Sequence, residues 1–199
     1  MIQIFLFYKR CINKISNILH QKVAIYQLKK AKAKFAKDIK FIGAHKLSLN
    51  GCICIGKAFT SRSTINHCID CGCSKIVVMP NAELHIGNYS GISNVSIHCY
   101  NKIDIGDYVD IGAGTIIFDT NFHSTNWIDK KNGLDIKNAK TAPIHIGDYV
   151  FIGAHCIICK GVHIGDKSII AAGSVVTKDI PSGEVWGGNP ARFIKRIEE

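Results

Sequence analysis

The chain has 199 residues, 47% of them hydrophobic and 20% charged, with 18 Gly, 4 Pro and 9 Cys. That composition fits a folded chain, not a disordered one, and the length is enough to bury one real core. The net charge of +10 is concentrated: residues 1–40 hold ten Lys/Arg against Asp38 alone, so any attraction to polyanions belongs to that segment.

The first element read in chain order is a basic amphipathic helical segment, residues 1–40. It opens MIQIFLFYKR, an apolar run whose charges follow it, the reverse of a secretory signal, and far short of the ~20 residues that span a bilayer. From Ile12 to Phe35 apolar residues recur at helical spacing (Ile15, Ile18, Leu19, Val23, Ile25, Tyr26, Leu28) with Lys between them. Two uses fit: a helix packed on its own protein or a neighbouring subunit, or one lying on anionic lipid through residues 1–35. Nucleic acid is not expected, because the segment lacks interleaved aromatics and the rest of the chain is neutral. Nine cysteines without an export signal point to a reducing cytoplasm, with the inner face of the membrane as the place of any peripheral contact.

From residue 41 to 181 the sequence repeats every six residues: IGDYVD, IGAGTI, and later IGDYVF, IGAHCI, ICKGVH, IGDKSI, IAAGSV. Each hexad opens with an aliphatic residue, and its fifth position is small or aliphatic (Val109, Thr115, Val150, Cys156, Val162, Ser168, Ser174). Two inward positions in six fit short strands joined by corners, three to a coil, wound as a prism. Carried backward, hexads opening at Leu49, Ile55, Ser61, His67 and Cys73 place Ile53, Phe59, Ile65, Cys71 and Val77 in the fifth slot, with slips before Ile86 and Ile105. About six coils result.

The frame sorts most cysteines and histidines. Cys71, Cys73 and Cys156 fall in inward slots and act as small hydrophobes. His67, Cys68, Cys71 and Cys73 crowd like zinc ligands, but their alternation sends them to opposite faces and no second CxxC stands at finger spacing, so no metal is expected. Cys52 and Cys159 fall near corners, and nothing assigns them, Cys54 or Cys68 a role. His145 and His163 are one coil apart and should stack on an outer face.

One excursion breaks the frame, residues 123–145, beginning in FDTNFHSTNW (118–127). Long loops in compact repeat proteins are usually functional or disordered, and this one begins with a polar-aromatic cluster, not a Gly/Ser linker. This one starts at His123, a residue suited to proton transfer near neutrality, with Asp119 four residues before it to hold the ring or bind a hydroxyl. Asn121 and Trp127 join them as candidate substrate contacts. A surface-capping loop with an ordinary polar histidine is the alternative on residues alone.

The stretch from Ile105 to Ile197 resembles the hexapeptide-repeat acyltransferases, enzymes of the left-handed parallel β-helix fold, and in particular the maltose, galactoside and bacterial polysaccharide O-acetyltransferases. D-x-x-x-H (Asp119 to His123), IAAGSVVTKDIP (170–181) and GGNPARFIKRI (187–197) carry the resemblance. It implies a mainly β fold, with the N-terminal helix and a short helix in a C-terminal extension, residues 182–199. It also implies acetyl-CoA as co-substrate, direct transfer to a sugar hydroxyl with His123 as base, and a homotrimer with sites between subunits. By the same resemblance Ala154, Ala172, Thr177, Lys178, Arg192 and Lys195 line the CoA groove, Arg192 and Lys195 toward its phosphates. Asn94, in SGISNVSIH, is placed where the acceptor would bind. An amino-acid or nucleotide-linked aminosugar acceptor is the nearest alternative, and a hydratase of the γ-carbonic-anhydrase type a remote one.

Overall fold

Two inward positions in every six residues suit neither a helix nor a flat strand, and the chain meets them by turning a corner after each short strand. The computed structural model describes residues 2–63 and 72–198, with side chains from residue 12 onward. Its strands form three faces of a left-handed parallel β-helix. The first face holds β1 (Lys34–Phe35), β4 (Cys52–Ile55), β7 (Glu83–Ile86), β10 (Lys102–Ile105), β13 (Ile144–Ile146) and β16 (His163–Ile164). The second holds β2 (Lys40–Gly43), β5 (Thr60–Ser63), β8 (Gly91–Ser93), β11 (Asp110–Ile111), β14 (Phe151–Ile152), β17 (Ile169–Ile170), β19 (Glu184–Gly187) and β20 (Arg192–Arg196). The third holds β3 (His45–Leu49), β6 (Ser74–Val78), β9 (Ser96–Cys99), β12 (Ile116–Phe118), β15 (Ile157–Ile158) and β18 (Val175–Val176), and its 6 strands count the turns of the prism.

The opening aliphatics stack coil on coil. Ile55, Ile86, Ile105, Ile146 and Ile164 are successive Cα partners on the first face, and Ile76, Ile97, Ile117, Ile158 and Val176 on the third. All are buried, each contributing about 1.5–3 kcal/mol of apolar transfer. The recurring Ile-Gly-Asp-Tyr is the corner between the first and second faces. The carboxylates of Asp107, Asp148 and Asp166 each accept a backbone N–H from the preceding coil, from Asn88 (2.6 Å), Asp107 (2.8 Å) and Asp148 (2.8 Å). The glycine makes room for that carboxylate: a Cβ on Gly147 would sit 2.2 Å from Asp166 Oδ1. The tyrosines take left-handed backbone (φ 59° at Tyr89, 56° at Tyr108, 58° at Tyr149) and stack at 4.8 and 4.9 Å.

The frame shifts once against expectation. Ser74, Ile76 and Val78 point inward where Cys73 and Val77 were expected. The third face is longer in the early coils, so an extra inward residue precedes each corner; the expected slip before Ile86 is this longer strand with a left-handed Asn81 (φ 66°) after it. Cys156 is inward as expected, and His145 and His163 stack with ring centres 4.6 Å apart. The expected positions of Ile65, His67, Cys68 and Cys71 lie outside the described residues.

The helix α1 (Ile2–Lys30) ends earlier than the spacing suggests. Lys32 is left-handed (φ 55°), Ala33 N–H closes onto Leu28 O at 3.0 Å, and β1 already belongs to the prism. Ala24 and Leu28 are buried in the same cluster as Ile39 and Phe41. Gln21 fastens the helix down: its amide donates to Ile39 O (2.9 Å) and accepts from Phe41 N–H (2.5 Å). The helix therefore covers the first turn, while Ile12, Ile15, Ile18, Leu19, Val23 and Tyr26 stay exposed. No helix among the described residues is long and apolar enough to cross a membrane. The short C-terminal helix is a correction: Gly187-Gly188-Asn189-Pro190 reverses the chain, and β20 runs back antiparallel to β19.

Candidate active site

The excursion leaves the prism at the edge between the third and first faces. Its ends are clamped: Thr120 bridges Thr141, Asn121 N–H donates to Lys140 O (2.9 Å), and Ala142 N–H donates to Asp119 O (2.9 Å). Phe122 stands at φ 59°, and His123 N–H reaches back to Asn121 O at 2.7 Å, a three-residue turn that a bulky residue enters only under strain. Its ring is held by His98, Tyr100 and Phe118, each with centroid 5.6 Å away. The turn throws the next side chain, His123, outward.

His123 Nδ1 lies 2.6 Å from Asp135 Oδ2, with the imidazole 61% exposed. Asp135 is itself held, its Oδ1 (3.0 Å) and its backbone carbonyl (2.9 Å) both accepting Ser124 N–H. Behind it the Ser124 hydroxyl donates to Asp129, which also accepts from Asn138 (2.9 Å); these bonds hold the Asp129 carboxyl below its usual range. A short helix, α2 (Trp127–Lys131), is capped by the Asn126 side chain accepting Ile128 N–H at 3.0 Å. A carboxylate on Nδ1 fixes the proton there and leaves Nε2 as the basic nitrogen facing solvent.

Asp119 is a correction. It is fully buried, and its two oxygens accept the N–H groups of Tyr100 and Asn101, both at 2.7 Å, across the corner of the preceding coil. Burial raises its pKa while those donors pull it back. It braces the loop's root and does not hold the imidazole. Asn94 is likewise a corner residue, 5% exposed at φ 45° between β8 and β9, its backbone carbonyl accepting Gly114 N–H at 3.2 Å. Left-handed backbone is what Asn tolerates and what that corner needs.

The remaining candidates divide by edge. Trp127, 71% exposed, shares the excursion with His123, and half-buried Asn121 stands two residues before it. Thr177 and Lys178 are exposed on the same edge, after β18. Ala154 and Ala172 are on the edge between the second and third faces, joined by Gly173 N–H donating to Ala154 O at 2.8 Å. The outer side of the third face lies between those edges, with Ile116 exposed on it. Arg192 and Lys195 project from β20, both exposed. Sequence reasoning missed Asp135, which no spacing rule ties to His123, and the aromatic seat of Phe122, whose trace was only that His98 and Phe118 fall one coil apart.

Residues 143–178 match the sequence model of the hexapeptide repeat of succinyl-transferase. The β-helix extends that repeat on both sides, and the chain is similar to proteins of the hexapeptide-repeat family. It is 51% identical over 96 residues to protein CapG of Staphylococcus aureus, a match covering 48% of this chain and 54% of that one. It is 40% identical over 119 residues to galactoside O-acetyltransferase of Escherichia coli strain K12, covering 59% and 56%. The chain thus spans about half the length of these curated relatives. Among solved structures it is similar to a hexapeptide-repeat acetyltransferase of Vibrio cholerae complexed with acetyl coenzyme A (TM-score 0.54, 28% identity, 78% of this chain and 72% of that one).

Proposed function

We propose that the chain transfers an acetyl group from acetyl-CoA to a hydroxyl of a sugar, with His123 as general base. The observation that carries this reading is the outward His123 imidazole oriented through Nδ1 by Asp135. Similarity to galactoside O-acetyltransferase and to an acetyl-CoA complex supports the donor and the reaction class. In the reaction Nε2 takes the acceptor's proton as its oxygen attacks the thioester carbonyl. The carbon–sulfur bond then breaks, and the imidazolium returns the proton to the CoA thiolate. Asp135 is the positioning residue that stabilises the imidazolium; Asp119 holds the loop's root.

Ala154 and Ala172 would flank the pantetheine arm, Thr177 and Lys178 its distal part, and Arg192 and Lys195 the phosphates. One chain spreads these residues over two edges and a hairpin. A trimer in which the His123 loop faces a neighbour's groove would bring them together. Trp127 and Asn121, within four residues of His123 along the chain, would contact the acceptor. The acceptor we favour is a sugar of a surface polysaccharide or its lipid-linked precursor, met at the inner face of the cell membrane. The exposed apolar stripe of α1 beside Lys14, Lys22, Lys29 and Lys30 supports that placement.

A thiol-release assay with acetyl-CoA and a panel of mono- and oligosaccharides tests the reading. We expect CoA release that depends on a sugar, with an acetylated product found by mass spectrometry. Release that is indifferent to every sugar but stimulated by serine or a nucleotide-linked aminosugar would move the acceptor to those classes.

A further inference from the structure

Acyl transfer leaves the outward row of the first face unused. Cys54, His85, Asp104, His145 and His163 are successive Cα partners along it. Cys52 precedes Cys54 by two residues, so strand alternation puts both thiols on the same side of β4. The ligand atoms of Cys52, Cys54 and His85 all lie within 4.8 Å of one another. Behind them Asp104 Oδ1 is 3.0 Å from His85 Nδ1, which orients the ring and leaves its other nitrogen as a donor. A groove of about 440 Å³, lined in part by Cys54, His85, Lys34 and Asp107, runs alongside.

We propose that Cys52, Cys54 and His85 bind a zinc ion, with Asp104 as the outer carboxylate of His85. Two thiolates and an imidazole are a borderline-soft set that suits zinc better than calcium or magnesium. The carboxylate–histidine arrangement is the usual support for a zinc-bound imidazole. Bonds of about 2.0–2.3 Å require the three donors to close in from their present separation, which rotation of these surface side chains provides. The fourth position is left to water or to Glu83, the cross-strand partner of Cys52. Binding would expel the two thiol protons and clasp β4 to β7, joining the second and third turns of the prism. The site is independent of the acetyl-transfer reading. Sequence alone hides it, because Cys54 and His85 meet only through the coil register.

Full-length protein kept reduced with a phosphine is titrated with Co²⁺. The expected result is a single equivalent bound with a thiolate-to-cobalt charge-transfer band, lost in Cys54→Ser and His85→Gln. Asp104→Asn should weaken binding about 10-fold or more. In the wild-type protein Zn²⁺ should slow iodoacetamide alkylation of Cys52 and Cys54 together and leave Cys159 unchanged, as mapped by peptide mass spectrometry. Absence of the band, its survival in both variants, or equal alkylation of Cys52 and Cys54 with and without zinc overturns the proposal.

Discussion

Asp119 and Asp135 flank the turn at Phe122 with opposite duties. Asp119 accepts two backbone N–H groups in a buried corner, and Asp135 accepts from an exposed imidazole. Asp135→Asn should therefore lower kcat about 10- to 100-fold, the worth of one charged hydrogen bond, with KM for acetyl-CoA unchanged. Asp119→Asn should act on stability instead, lowering it by about 1–3 kcal/mol in urea unfolding, because an amide cannot accept both N–H groups. A fall in kcat for Asp119→Asn at unchanged stability would return the imidazole to Asp119. The histidine was legible in the sequence as the point where the repeat stops. Its carboxylate was not: closeness along the chain favoured Asp119, whereas the closure of the loop on itself brings Asp135 to the ring.

Among the elements, α1 has two faces with different jobs. Leu28 is 1% exposed against the first turn of the prism, so Leu28→Ala should cost about 2–5 kcal/mol of unfolding free energy. Ile15, Leu19 and Val23 are 59%, 56% and 54% exposed; changing all three to Ser should leave stability within about 0.5 kcal/mol per site and abolish sedimentation with anionic vesicles. Full-length protein that ignores such vesicles would leave α1 as a cap alone. Helical spacing made this element readable, but not its end at Lys30, before the left-handed Lys32, where chain needed for β1 is withdrawn from it. The C-terminal segment misled in the opposite way: RFIKRI has no strict alternation, and only the Gly-Gly-Asn-Pro reversal commits it to pairing with β19.

At the scale of the molecule, the six-residue period made the prism legible from Ile105 onward because nearly every inward slot there is aliphatic or small. It blurred earlier, where His45, Ser61 and Ser74 take positions in the first turns and the third face lengthens. His45 gives this end a pH dependence. Its Nδ1 bonds Gly43 O at 2.9 Å and its Nε2 the Ser61 hydroxyl at 2.8 Å, and burial lowers its pKa from 6.5 to about 4. The unfolded chain therefore binds the extra proton between those values. The contribution is complete above pH 6.5 and is lost as the pH falls toward 4, in all by roughly 3 kcal/mol. His45→Gln should flatten that part of the unfolding free energy measured against pH; an unchanged slope would contradict it.

The claim that His123 is the base of an acetyl transfer is tested most directly by turnover of acetyl-CoA with an accepted sugar, in wild type and His123→Ala, with CoA affinity measured on both. The predicted result is a loss of about 10²- to 10⁴-fold in kcat with CoA affinity preserved. Turnover by the variant equal to that of the wild type would contradict it.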